Sequence, residues 1–295
     1  MDILPQLIIN GIITGSIYAL ASAGLALSYG LLRVINFAHG HLMMVGAYVF
    51  YLAKIELELN LAESIIFTTL GTSLVALLSF GIFVRPFTKY SSFLPLVSTL
   101  ALGTVLESII AMTFGVNVKS LDLSGSQSYE IGSIFITPTQ IIIIASALIL
   151  MSLMAIVIHR TSIGRMVRGV AEHSQAAESL GVDQGQIAMS GFVIGALMAA
   201  FAGVLIGYET NLQPTMGAVY TIKAFAVMVL GGLGNTWGAL VGSFILGMLE
   251  NISIGLDLGS WSLPAGYKDA FAYACILLVL LFRPQGLFGR PQRGV

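Results

Sequence analysis

The sequence predicts an all-α polytopic membrane protein with about 8–9 transmembrane helices, some of them short or broken. Three observations carry that reading. Only 9% of the 295 residues are charged, 13 basic and 14 acidic, where an average soluble chain of this length carries roughly 74. Hydrophobic residues make up 57% of the chain, and the mean hydropathy is +0.93. Apolar stretches recur at the length of about 20 residues that a helix needs to cross about 30 Å of hydrocarbon. Together these exclude an ordinary water-soluble enzyme and a disordered chain. They also exclude a nucleic-acid binder, which needs a basic stripe that a net charge of -1 does not suggest. The single cysteine, Cys275, cannot form an intrachain disulfide, and it reads as a small buried hydrophobe.

Spans are predicted over about 6–32, 61–84, 94–115, 138–158, 187–207 and 265–282. No Lys or Arg precedes the first run, whereas a signal peptide carries a positive leader and a shorter core. It is therefore expected to be retained, with the N-terminus outside. Residues 38–53 are apolar but short for a full span. Residues 218–250 are too long for one span and are interrupted by Gly231, Gly232, Gly234 and Gly238. They read as two short spans joined by a Gly-rich turn, with a re-entrant hairpin as the alternative. Thr137-Pro138-Thr139-Gln140 has the form of a capping box with proline at the first helical position, and marks the outer start of the fifth helix.

Nine spans with the N-terminus outside sort the basic residues nine to four. Arg33, Arg85, Lys89, Arg160, Arg165, Arg168, Arg283, Arg290 and Arg293 fall inside, and Lys54, Lys119, Lys223 and Lys268 fall at outer segments or outer span ends. The split agrees with the positive-inside tendency and places the C-terminus in the cytoplasm. Acids gather outside: Glu56, Glu58, Glu63, Asp122, Glu130, Glu209 and Asp257. Glu250, at the end of an apolar run, is expected at the outer interface. Small residues at four-residue spacing form three stripes: Gly11-Gly15-Ala19-Ala23, Gly191-Gly195-Ala199-Gly203-Gly207 and Gly234-Gly238-Gly242. Each lets a second backbone approach one helix face, either for tight packing alone or for sliding during transport.

The chain carries no phosphate-binding P-loop and no Gly-x-Ser-x-Gly elbow, and the glycines of 232–238 are wrongly spaced for a dinucleotide loop. No catalytic constellation, cofactor site or metal site is read. His39 and His41, flanking Gly40, do not share a helix face and have no acid or cysteine beside them. They are expected to cap or break the second helix, and the segment Asn36-Phe37-Ala38-His39-Gly40-His41 has either a purely structural role or a place on a translocation pathway. Glu107 lies inside a span, where an ionised carboxylate is costly unless paired or hydrated. It either pairs with a neighbour or faces the bundle interior. Gly232 and Gly234 join the pathway candidates, because open backbone at membrane depth needs a cavity. The inner loop 159–186 is the longest cytoplasmic connection. Residues 171–183 read as a short helix with Ser174 capping its start and Gly181 supplying a left-handed stop. It is either a docking surface for a cytoplasmic partner or an amphipathic interfacial helix.

The chain resembles the LivH-type permeases of branched-chain amino acid ABC transporters. The matching blocks are Gly15 to Leu20, Val34 to Gly40, Gly46 to Tyr48, Ile163 to Arg165, Ala171 to Val182, Phe192 to Leu205, Lys223 to Phe225, Val229 to Gly242, Tyr267 to Asp269 and Arg283 to Leu287. They run in order along essentially the whole chain. The resemblance implies one permease domain, 1–295, in a bacterial inner membrane, which itself performs no ATP hydrolysis. It implies as partners a second related permease subunit, two cytoplasmic ABC ATPase subunits and a periplasmic substrate-binding protein. Glu172, Ala176, Ala177, Leu180, Gly181 and Val182 are similar to the family's ATPase-coupling loop. The chain departs from the family's usual pattern at His41, where an acid commonly follows the His-Gly pair, and in the shorter loop 116–137. The implied function is ATP-driven import of branched-chain or related amino acids by alternating access. Alternatives are a urea or short-amide importer permease, a stand-alone channel or facilitator, and an intramembrane enzyme. The coupling-like loop argues against the channel, and the lack of a catalytic constellation argues against the enzyme.

Overall fold

The computed structural model describes residues 3–91, 93–121, 128–255 and 265–289. Asp122, Asp257, Arg290 and Arg293, used above in the charge balance, lie outside the described residues. In order the elements are α1 (Leu4–Leu32), α2 (His39–Tyr51, continued by a π-turn Leu52–Glu56), α3 (Leu61–Ser79, followed by a π-turn Phe80–Val84), α4 (Arg85–Thr88) and α5 (Leu94–Phe114). A hairpin of β1 (Tyr129–Ile131) and β2 (Ile134–Ile136) follows. Then come α6 (Pro138–Arg160), α7 (Ser162–Glu172), α8 (Ser174–Ser179), α9 (Gln184–Glu209), α10 (Met216–Gly231), α11 (Thr236–Gly255) and α12 (Lys268–Phe282, preceded by a 3₁₀ turn Ala265–Tyr267). Six segments are long and apolar enough to cross a membrane: α1, α3 with α4, α5, α6, α9 and α11. α10 is a shorter apolar helix, and with the short helices α2 and α12 the number comes to nine among the described residues.

The caps follow from local chemistry. Thr137 and Gln140 form the capping box read from the sequence, each side chain answering the other residue's backbone N–H. Asn60 and Glu63 form a second at the start of α3. The hairpin is an addition to the all-helical expectation. Gln6 of α1 pins it, accepting from the Phe135 N–H at 2.7 Å and donating to the Phe135 carbonyl at 3.0 Å.

α1, α2, α9 and α10 form the centre. α2 is buried along nearly its whole length and packs on α3, α9 and α10. α1 runs antiparallel to α9, Gly24 meeting Gly195 and Leu31 meeting Gly191, and antiparallel to α11, Gly11 meeting Met248 and Gly15 meeting Phe244. α9 and α10 thus repeat the arrangement of α1 and α2 in the opposite direction: a long helix, a break, then a short helix. The outer faces of α3, α5, α6 and α12 expose Leu70, Leu74, Ile109, Ile149, Leu153 and Leu281, the surface expected where lipid takes the place of water.

The charge-bearing loops sort to two ends. At one, Arg33 donates to the Ala171 carbonyl at 3.1 Å, Arg85 approaches Gly185 and Gly30 approaches Gly234. At the other, Lys119 bridges to Leu212 and lies over the Tyr51 ring at 5.5 Å. Two charged residues expected at the outer side are not there. Lys223 and Glu250 are at neither surface: both are buried inside the bundle, 5% and 2% exposed, because each supplies the other's counter-charge. Residues 218–250 resolve into α10 and a full-length α11 joined by a turn whose Gly232 and Gly234 have positive φ. The expected helix over 171–183 is split at His173, whose φ of -150° and ψ of 88° are not helical. Ser174 is the first residue of α8 rather than its cap. Gly181 does take the left-handed conformation, at φ 85°.

The crossing of α1 and α9 permits no side chain. A Cβ on Gly195 would lie 2.5 Å from the Gly24 carbonyl oxygen, and one on Gly24 would fall onto the Gly195 carbonyl. Gly195→Val is expected to cost about 1–3 kcal/mol through overpacking. It should lower the thermal midpoint and the monodisperse yield in detergent, whereas Gly169→Ala, where a Cβ meets nothing within 4 Å, should leave both unchanged or raised.

Candidate functional site

The break between α1 and α2 lies inside the bundle. The His39 ring nitrogen Nε2 is 2.8 Å from the Ala21 carbonyl of α1, a point about 17 Å along α1 from its end at Leu32 at about 1.5 Å per residue. Residues 33–38 therefore climb back into the layer before α2 begins. Their backbone groups must be answered by protein there. Asn36 Oδ1 accepts from the Ala38 N–H at 3.0 Å, and Thr99 Oγ1 of α5 accepts from the Phe37 N–H at 3.1 Å. Thr221 Oγ1 of α10 accepts from the Gly40 N–H at 2.9 Å and lies 3.2 Å from the Phe37 carbonyl and 2.8 Å from its own Gly217 carbonyl. His39 and His41 neither cap nor break α2. Ala38 is the N-cap, with no side-chain cap bond, and both histidines lie in the first turn.

α10 begins beside this point. Gly40 packs on the Gly217 carbonyl and on Thr221, and the His41 ring is held between Gly103 of α5 and Gly217 of α10. Two helix starts thus meet within the bundle. Both present the positive end of a helix dipole, which favours negative groups nearby. His41 Nε2 lies 3.6 Å from Glu107 Oε2, with the side chains 9% and 33% exposed, while the buried His41 Nδ1 has no partner among the described residues. Glu107 therefore joins a half-exposed face of α5 to the buried start of α2.

Of the pathway candidates, Asn36, Phe37, His39, Gly40, His41 and Glu107 gather here. Gly232 and Gly234 do not: they sit at the Arg33 end, Gly232 against Gly289 and Gly234 against Gly30. The turn is closed by the C-terminal segment. Leu287 N–H donates to the Leu230 carbonyl at 2.8 Å and Phe288 N–H to Gly231 at 3.1 Å, satisfying carbonyls that the end of α10 leaves open.

The loop candidates lie together at the Arg33 end. α7 and α8 pack through Val167, Val170 and Ala177 onto Leu27 of α1 and Ile187 of α9. Glu172, Ala176 and Gly181 are exposed, Val182 is half-buried, and Leu180 is 85% exposed.

A second cluster went unread in the sequence. Lys223 Nζ donates to Tyr18 OH at 2.8 Å, Glu250 Oε1 at 2.9 Å and Asp269 Oδ1 at 3.0 Å, and Tyr18 OH donates to Glu250 Oε2 at 2.7 Å. The available signal was a lysine inside an apolar run, which at that depth requires a counter-ion.

The family model described as the branched-chain amino acid transport system permease component matches residues 7–280. The chain belongs to that permease family. Similar members include the high-affinity branched-chain amino acid transport system permease proteins BraD of Pseudomonas aeruginosa, 31% identical, and LivH of Escherichia coli K12, 32% identical. Each alignment covers 97% of this chain and 96% of the relative. The fold is shared with a chain in the structure of PsaBC from Streptococcus pneumoniae in complex with Fab, at a TM-score of 0.53 and 12% identity over 98% of this chain and 92% of that one. In this permease family member the break at 33–38 is held by a few side chains, so one of them is a sharp test. Thr221→Val keeps the shape but leaves the Gly40 N–H without an acceptor, at a cost of about 1–3 kcal/mol. A lower thermal midpoint in detergent is expected for Thr221→Val and a near-normal one for Thr221→Ser.

Proposed function

We propose that the chain is the membrane-spanning subunit of an ABC importer that carries branched-chain or related amino acids across the bacterial inner membrane. In this reading a periplasmic binding protein delivers the substrate and two cytoplasmic ATPase subunits, acting with a second permease, drive alternating access. The observation that carries it is family membership over residues 7–280, with relatives named as branched-chain amino acid permeases over nearly their full length. The Arg33 end faces the cytoplasm, in keeping with the basic residues gathered there. The exposed Leu180 and Ala176, beside the left-handed Gly181, form the surface that enters a groove on the ATPase. The convergence of two helix starts at Gly40 and Gly217, with His41 and Glu107 beside them, lies near the substrate route, where a carboxylate would meet helix N-termini.

The direct test is binding-protein-dependent uptake of labelled leucine, isoleucine or valine by vesicles carrying the chain and its partners, with urea and short amides as competitors. Uptake that needs no ATPase would make the chain a facilitator, and preference for urea would move the substrate class.

Three further results are expected. Reporter fusions at 133 should read as periplasmic and those at 175 as cytoplasmic. Leu180→Asp and Gly181→Val should keep normal membrane levels but lose most uptake and recover less ATPase with the chain, because a buried unpaired charge costs several kcal/mol and a β-branched residue disfavours positive φ. With Cys275 replaced, cysteines at 37–41 should react with a small polar thiol reagent in at least one state of the cycle; protection in every state would assign the break a structural role.

A further inference from the structure

The Lys223 cluster is built of two unequal parts. Lys223, Glu250 and Tyr18 close a ring of three hydrogen bonds between α10, α11 and α1, and their carboxylate and ammonium are 2% and 6% exposed. Glu250 has Lys223 as its counter-charge among the described residues, so removing Lys223 strands a buried carboxylate, and removing Glu250 leaves Lys223 only the half-exposed Asp269. Asp269 is different. It is attached to the ring by one bond, to Lys223, and its side chain is 38% exposed. It lies in the first turn of α12, where the helix's own N-terminal dipole favours a carboxylate. On leaving Lys223 it gains water and keeps that dipole. What remains buried is a neutral Lys–Glu pair, still hydrogen-bonded to Tyr18. The charge balance inside the bundle thus tolerates both the attached and the detached state.

α12 is free to use that choice. Its Ala272 and Ile276 pack with Tyr18, Val227, Leu230 and Leu246 in an apolar cluster separate from the main core. The first half of the bundle has the same design. His41 on α2, 9% exposed, faces Glu107 on α5, 33% exposed, so in each half a buried base on the short central helix meets a half-exposed carboxylate on an outer helix.

We propose that Asp269 is a positioning residue of the transport cycle: its bond to Lys223 opens and re-forms as α12 moves against α10 and α11, while the Lys223–Glu250–Tyr18 ring stays closed. The cycle itself rests on the permease reading above, but the motion of α12 is measurable without it. Spin labels at Val219→Cys of α10 and Leu277→Cys of α12, both exposed, in a full-length Cys275→Ser chain in nanodiscs report the separation of the two helices. The parent is expected to give one dominant distance. Asp269→Asn should move a substantial part of the population, by about fivefold in the ratio of the two states, to a second distance with the monodisperse yield unchanged, and Asp269→Glu should restore the parent distribution. Glu250→Gln should instead lower the yield of folded protein. In vesicles with the ATPase partners and binding protein, Asp269→Asn should lose uptake while still hydrolysing ATP. A distance distribution for Asp269→Asn identical to the parent overturns the proposal, as does an Asp269→Asn chain that misfolds like Glu250→Gln, which would make Asp269 part of the fixed ring. A parent chain that carries no amino acid would defeat the permease reading alone and leave the distance measurement standing.

Discussion

A backbone that leaves the helix inside hydrocarbon must have its N–H and C=O groups answered by neighbouring protein, and the centre of this bundle is arranged around that demand. Between Arg33 and Ala38 the chain is non-helical at depth. Thr99 and Thr221, one from α5 and one from α10, take up its free groups. A hydroxyl that serves as both donor and acceptor at short reach requires the helices that carry it to sit close. That explains the glycines and small side chains wherever α2 touches α9 and α10: Gly46 against Ala200, Gly203 against Met43, Gly40 against Gly217. The polar repair of the break and the absence of side-chain volume around it are two parts of one solution.

The same economy governs charge. The bundle carries few ionisable groups at depth, and the ones described here come with partners on other helices: His41 with Glu107, Lys223 with Glu250 and Asp269. Ion pairs that cross from one helix to another specify which faces meet, in a setting where apolar contacts alone distinguish poorly between helix and lipid. Since the outer faces of α3, α5, α6 and α12 are apolar and exposed, the charges and glycines set the internal arrangement and leave those faces adaptable.

Most of the span positions were legible in the sequence, since hydropathy over about 20 residues is a strong signal. The predicted run 138–158 and the helix Pro138–Arg160 differ by little, because Thr137, Pro138 and Gln140 announce the start chemically. The turn at Gly231–Gly238 was equally plain. Other features depend on partners distant in sequence. Nothing near Lys223 indicates whether it reaches for an interface or for a carboxylate 27 and 46 positions away, so a rule that counts basic residues by loop assigned it to a surface. Glu250 was placed at the surface because it ends an apolar run, which says nothing of a lysine on another helix. His39 and His41 looked like helix breakers because Gly40 separates them, yet the break falls earlier, at a stretch whose local composition is unremarkable and whose stabilising threonines lie on α5 and α10. The split at His173 is a local backbone turn with no residue-level marker. The sequence thus reveals which segments enter the membrane more readily than which side chains meet there.

The strap formed by Leu287 and Phe288 on the end of α10 has a consequence in time rather than in space. α10 is made well before that segment, and its last carbonyls at Leu230 and Gly231 wait for donors supplied near residue 288. During synthesis the α10–α11 hairpin must enter the membrane with that end open, and it is closed only once α12 has been inserted behind it. The last described stretch of chain is therefore what completes the end of a central helix, and a nascent chain halted just short of this segment would hold nearly every span while the end of α10 still lacked two of its donors.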